Sequence, residues 1–349
     1  MYQGMCPPWV TRVYGGSVEA RLTQEMADFT LYITQDFEDR EHLFVSMMAK
    51  VVAVTARVLP GARVAAYGSY ATGLCIPASD LDVVCGLRDA GLALRPAFRL
   101  LAHELRREPW LDMIKPIETA TVPVIKLVSR DEELPTDISF DAAETGVPPH
   151  RGVSSVEMAR RCLAETPKLR PLVLVVKEFL SEKGLNNTYT GGLGSYCLII
   201  MARTYLHAYH SARENMVPVP TNSRSHHHSH QQQSEQPHLM STEKSLQDMG
   251  RAVLGFFRFY GTEFDYATTG ISTKRGGTFY RIGDVGYYNG TAPLVIEDPF
   301  DPMSNIASGV FSMWRVRAAF ASAYHALTAD PYTPCASLLQ RIIWNDDDM

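Results

Sequence analysis

Apolar side chains recur at helical spacing over residues 18–34, through Ala20, Leu22, Met26, Phe29 and Leu31. They do so again over about 39–58, through Phe44, Val45, Met48, Val51 and Val54. This period predicts two amphipathic helices, the second ended by Pro60-Gly61. The period then shortens. Arg63–Tyr67 reads as a buried strand that runs into Gly68-Ser69, and strands are expected at Asp80–Cys85, 113–118, 122–128 and 136–140, with a helix over about 91–107. After residue 150 the helical period returns, at about 153–166, 168–184, 193–210, 243–260 and 307–328. The pattern predicts an α+β chain. A mixed sheet with flanking helices occupies 39–148, and 1–38 with 149–349 forms a mostly helical domain.

Residues 213–242 break the pattern with His226-His-His-Ser-His230 and Gln231-Gln-Gln233 among Ser, Pro and Asn. A metal-binding tract and a flexible insertion both fit this composition. Nothing around it could build a core, which favours the insertion. The 349 residues, 46% apolar and 20% charged, suffice for two globular domains. Apolar runs such as Leu172–Val176 and Cys197–Ala202 are too short to span a bilayer, so no membrane association is expected. The N-terminus lacks the charged-then-apolar order of a secretory signal, so an intracellular protein is expected. Cysteines 6, 75, 85, 162, 197 and 335 form no CxxC pair, which argues against a zinc site and a disulfide framework. A net charge of −5 is not the basic footprint of a protein that grips long nucleic acid alone. If the substrate is RNA, the chain should hold the last few nucleotides and leave the rest to a partner.

The candidate chemistry lies in Gly68-Ser69 and, after ten intervening residues, Asp80-Leu81-Asp82. On a strand, Asp80 and Asp82 project the same way while Leu81 and Val83 point to a core. Paired carboxylates repel each other unless a cation sits between them. Asp137 alternates with Ile138 and Phe140 on the strand Thr136–Phe140, so a neighbouring strand could bring it to the pair. Three carboxylates can hold two Mg²⁺ ions, or Mn²⁺ in their place, beneath a nucleotide triphosphate. Gly68 lets backbone approach phosphate, and the turn amides with the Ser69 hydroxyl can cradle its oxygens. Alone, a DxD pair or a Gly-Ser is weak; the spacing and the third Asp make the set more specific.

The arrangement resembles the DNA polymerase β-like nucleotidyltransferases, and more closely the noncanonical poly(A) polymerases of nuclear RNA surveillance, the TRAMP-type catalytic subunits. The resemblance rests on Ala66-Tyr-Gly-Ser-Tyr-Ala-Thr-Gly-Leu-Cys-Ile-Pro-Ala-Ser-Asp-Leu-Asp82, Val176-Lys-Glu-Phe-Leu180, Gly184–Tyr196, Phe256–Gly261 and Ile296-Glu-Asp-Pro-Phe-Asp301. It implies a polymerase β-like nucleotidyltransferase domain beside a helical nucleotide-recognition domain, and template-independent addition of AMP from ATP to RNA 3′ ends. Asp80, Asp82 and Asp137 would be catalytic and metal-binding. Lys177 and Ser195 match triphosphate contacts, Tyr196 the base-stacking tyrosine, and Asp298 and Asp301 positions near the base edge. Lys177 could equally be a solvated helix charge, and Tyr196 a core tyrosine.

The two aspartates do not settle the base. Uridylyltransferases of the superfamily carry a histidine where this chain has Ser304, and losing it leaves space for a purine, which favours ATP over UTP. Where the family often has Asn-Gly, this chain has Arg151-Gly152, after a stretch Ala142–His150 that is longer than usual. The resemblance also implies an RNA-binding zinc-knuckle partner, a helicase and a nuclear location.

Overall fold

Residues Val18–Val58 form one helix, α1, of 41 residues, where the apolar period had suggested two. No Pro or Gly separates the two halves, and an Arg40–Asp36 ion pair of 2.6 Å spans one turn at the junction. The computed structural model describes residues 6–88, 90–120, 122–142, 150–214, 248–284, 292–329 and 335–344. From residue 215 to 242 the expected insertion, with its histidine tract, lies outside the described residues. The chain divides into two compact units: Thr30–Glu165, and Met1–Phe29 with Thr166–Met349.

The first unit is built on a five-stranded sheet in the order β1-β2-β5-β4-β3. Its strands are β1 (Arg63–Tyr67), β2 (Leu81–Gly86), β3 (Leu111–Ile117), β4 (Val124–Ser129) and β5 (Pro135–Asp141). β2 and β5 run parallel and the other pairs antiparallel. Alternation sends Leu81, Val83, Cys85, Ile125, Leu127, Ile138 and Phe140 into one core, with Phe44, Met47, Val51 and Val54 of α1 and Phe98, Leu101 and Leu105 of α3 (Leu94–Leu105). Each such side chain contributes roughly 1.5–3 kcal/mol on full burial, so this face stabilises the sheet and leaves the other free for polar groups. β1 is not the buried strand expected. It is an edge strand paired only with β2, and Arg63 and Ala65 are exposed. A short helix, α2 (Gly68–Thr72), follows β1, and Tyr70 stacks on Phe44 of α1 at 5.1 Å. α4 (Gly152–Glu165) closes the unit.

The second unit contains α5 (Leu169–Glu182), α6 (Ser195–Glu214), α7 (Met249–Arg258), α8 (Met313–Thr328) and α9 (Gln340–Ile343). Phe179, Phe256, Phe257, Tyr260 and Phe320 form its aromatic centre. The helix expected over 307–328 starts only at Met313, because Ile306–Val310 folds as hydrogen-bonded turns that bury Ala307 and Val310. Two hairpins were not foreseen: β6–β7 (Thr269–Ser272 and Thr278–Arg281) and β8–β9 (Glu297–Asp298 and Asp301–Asn305). Among the described residues no helix is long and apolar enough to cross a membrane, and all six cysteines are free.

Candidate active site

Strand register sets four polar side chains in one row across the first unit's sheet. Tyr67 on β1 stands opposite Asp82 on β2, Asp82 opposite Asp137 on β5, and Asp137 opposite Lys126 on β4. Partners in register share a face, so the row lies on the side away from Leu81, Val83, Ile138 and Phe140. Asp80 lies one residue before β2 rather than within it. It is held by the preceding loop, where the Ile76 amide donates to Ser79 Oγ at 3.0 Å and Arg40 donates to the Pro77 carbonyl at 3.0 Å.

Gly68 closes on this row. Its φ is +66°, and a Cβ there would stand 1.9 Å from Asp82 Oδ2. Only glycine gives both the left-handed backbone and the space the Asp82 carboxylate occupies. Ser69 and Thr72 follow in α2, with Thr72 Oγ1 donating to the Gly68 carbonyl at 3.0 Å.

The electrostatics bind the three aspartates together. Burial pushes the Asp137 carboxyl above its ordinary pKa; its ion pair with Lys126 opposes the rise and the Asp80 charge adds to it. Burial also pushes the Tyr67 phenol up, helped by Asp82, opposed by a hydrogen bond from Ser139, and helped again by Asp137 and Asp80. One tyrosine thus feels all three carboxylates. All three supply hard oxygen donors, the type that suits Mg²⁺. Among the described residues, however, no three His, Cys, Asp or Glu side chains converge into a metal-ready group. Asp137 has a cation partner in Lys126. By its donor chemistry the set fits a divalent ion.

A second polar layer lies beside the row. Ser139, two residues beyond Asp137 on β5, places Oγ 3.1 Å from the Val83 carbonyl, 3.2 Å from Tyr67 Oη and 2.8 Å from His150 Nε2. His150 Nδ1 accepts from the Gly152 amide at 3.2 Å, which leaves Nε2 to donate to Ser139. Burial pushes the His150 pKa down, against the pull of Asp141. Gly152 is required here: a Cβ would meet His150 Cε1 at 2.4 Å and Tyr67 Cδ2 at 2.6 Å. Arg151, in the place of the expected asparagine, is therefore held between two anchored neighbours at the start of α4 and is itself exposed.

The remaining candidates lie in the second unit. Lys177 on α5 is only 6% exposed, which removes the reading of a solvated helix charge. Ser195 opens α6, and Tyr196 beside it is half-buried rather than a fully enclosed core residue. Asp298 and Asp301 face each other in the β8–β9 register. Asp298 Oδ1 accepts from the Phe300 amide at 2.8 Å, and Asp301 Oδ2 from Ser304 Oγ at 2.6 Å. Ser304 thus grips Asp301.

Lys126, Tyr67, Ser139 and His150 were not foreseen. Lys126 carried a signal, as the one charge between Ile125 and Leu127 on an alternating strand. His150 had none, because its partners come from residues 67 and 139.

Residues 22–145 match the family model for the central palm domain of mitochondrial-like poly(A) RNA polymerase, and 248–304 match the model for the Cid1 family of poly A polymerases. Poly(A) RNA polymerase protein 1 of Eremothecium gossypii is 30% identical over 314 residues, which is 88% of this chain and 44% of the relative. The chain therefore spans less than half that relative's length. The solved polymerase core of TRAMP, an RNA surveillance complex, superposes with a TM-score of 0.74 at 25% identity, over 96% of this chain and 98% of that one. The Cid1 poly(U) polymerase, solved with MgATP, shares the fold with a TM-score of 0.64 at 21% identity, over 89% of this chain and 95% of that one. The chain belongs to the noncanonical poly(A) RNA polymerases, within the polymerase β-like nucleotidyltransferases.

Proposed function

We propose that this chain transfers AMP from ATP to RNA 3′ ends without a template. The observation that carries the proposal is the Asp82–Asp137 pairing on adjacent parallel strands, with Gly68 closed over Asp82. Asp80, Asp82 and Asp137 would hold two Mg²⁺ ions. Such ions, when bound, acidify the attacking hydroxyl and neutralise the triphosphate and departing pyrophosphate. Asp137 is the group proposed to take up the 3′-hydroxyl proton. The freed oxygen attacks the α-phosphorus in line, and the bond to pyrophosphate breaks. Most of the rate is positioning and charge stabilisation.

The second unit supplies the proposed nucleotide contacts. Lys177 and Ser195 are its proposed triphosphate contacts; in the first unit, Gly68 and Ser69 are the residues proposed to cradle phosphate. Tyr196 stacks on the base. Asp301, held by Ser304, accepts from the adenine amino group beside Asp298. The likeness to the polymerase core of TRAMP, an RNA surveillance complex, supports RNA surveillance as the setting; an RNA-binding zinc-knuckle protein, a helicase and a nuclear location are proposed on the sequence resemblance alone.

Incubating the purified chain with an unstructured RNA oligomer, Mg²⁺ and each NTP separately tests the reading. A ladder with ATP alone is expected. A ladder with UTP in preference would replace adenylation by uridylylation, and no extension with any NTP would overturn nucleotide transfer.

A further inference from the structure

Lys126 stands beside Asp137 by register, not by chance contact. β4 and β5 pair antiparallel with these two residues as partners, and the row continues to Lys115 on β3. Lys126 Nζ donates to Asp137 Oδ2 in a close ion pair, with Asp137 15% and Lys126 33% exposed. On the other side of Asp137 stands Asp82. Along the row two neighbouring carboxylates, Asp82 and Asp137, are followed by two ammonium groups, Lys126 and Lys115, of which Lys126 pairs with Asp137, and the three carboxylates do not converge.

These facts have a common physical reason. An ammonium ion is a monovalent cation at the end of a flexible stem, and it can neutralise part of a carboxylate pair without drawing it together. A Mg²⁺ ion demands near-octahedral oxygen geometry at short range. It cannot share one carboxylate oxygen with an ammonium at hydrogen-bond distance without strong repulsion between the two cations.

We propose that Lys126 is the resident counterion of the carboxylate site, one that balances Asp137 before a divalent cation binds and yields Asp137 Oδ2 when the cation enters. Lys126 is then a positioning residue that sets the metal affinity. The inference rests on the assignment of Asp80, Asp82 and Asp137 as metal ligands. It differs from a plain structural salt bridge in one respect. A structural pair stabilises the protein equally with and without Mg²⁺, whereas an exchanging pair stabilises the metal-free form more.

The test measures thermal unfolding of the full chain, without nucleotide or RNA, over a Mg²⁺ titration. The variants are Lys126→Met, which keeps the stem and removes the charge, Lys126→Arg, and Asp82→Asn. In Lys126→Met, the half-saturating Mg²⁺ concentration should fall about tenfold, as expected for removing a unit charge next to the site. The Mg²⁺-induced rise in melting temperature should grow, and Lys126→Arg should behave as the native chain. Should Lys126→Met fail to fold, acylation of the native chain with acetic anhydride, read by mass spectrometry, gives the answer. Lys126 modification should rise several-fold when Mg²⁺ is added. An Mg²⁺ response abolished by Asp82→Asn but unchanged by Lys126→Met, or unchanged acylation of Lys126, would overturn the counterion role and leave the metal site standing. No Mg²⁺ response in the native chain, or a full response in Asp82→Asn, would overturn the metal site and this inference with it.

Discussion

At the scale of single residues, the site depends on close approach as much as on charge. Gly68→Ala places a Cβ where Asp82 Oδ2 now sits and forces a side chain onto a φ of +66°. The left-handed backbone alone costs roughly 1–2 kcal/mol, so the fold should survive with a melting temperature lowered by a few degrees. The Asp82 carboxylate must swing away. Since small misplacements at a reacting centre are costly, single-turnover extension should fall about a hundredfold or more. Extension within a few-fold of native would show that Asp82 does not need its present position. Tyr196 permits a cleaner separation of binding from chemistry. Losing a stacking platform costs roughly 1–3 kcal/mol, so Tyr196→Ala should raise KM for ATP by about 10- to 100-fold with kcat less affected, while Tyr196→Phe stays near native. Steady-state kinetics at saturating RNA distinguishes these outcomes.

At the scale of elements, the turn between β4 and β5 is tied to α1 through one carboxylate. Ser46 Oγ and Lys50 Nζ of α1 each donate to Glu132 Oε1 at 2.7 Å. Burial would raise the Glu132 pKa, but hydrogen bonds from Lys50, Ser129 and Ser46 more than offset it and hold it at about 2. An unfolded glutamate titrates near pH 4.3. Because the folded value is the lower one, this contribution is complete above about pH 4.3 and is lost as pH falls toward 2. Glu132→Gln should therefore destabilise the chain by roughly 2 kcal/mol at pH 7. Urea unfolding from pH 7 to pH 3 should show that gap narrowing, and a gap independent of pH would contradict the role.

The sequence made elements of this kind partly legible. Period-two alternation identified β2 and β5, because their apolar positions face a single core, and so identified which way Asp82 and Asp137 project. Register was not legible. Nothing local says that Asp82 aligns with Asp137 or that Lys126 completes the row, since register is decided by pairing between distant segments. The edge position of β1 escaped for the same reason: Val64, Ala65 and Ala66 are apolar enough for a centre strand. The start of α8 was misjudged because Ala307 and Val310 are buried by turns, and with Ile306 they mimic a helical face. His150 lay beyond reach, since its place is decided by tertiary packing against Tyr67 of β1 and Ser139 of β5.

At the scale of the whole molecule, a net charge of −5 bears on how RNA is held. Counterion release from many phosphate contacts gives basic nucleic-acid binders a steep salt dependence. This chain should make few such contacts, so its affinity for a single-stranded oligomer should be weak and fall only about tenfold between 50 and 200 mM salt. Binding that stays tight across that range would mean a basic track strong enough to work without a partner. The proposed chemistry does not wait on partners. Its most direct test compares RNA extension by the native chain with that by Asp82→Asn and Asp137→Asn, with ATP and Mg²⁺ present and folding checked by circular dichroism. The account predicts that both variants fold and that neither adds a nucleotide above background. Extension by either variant at the native rate would contradict it.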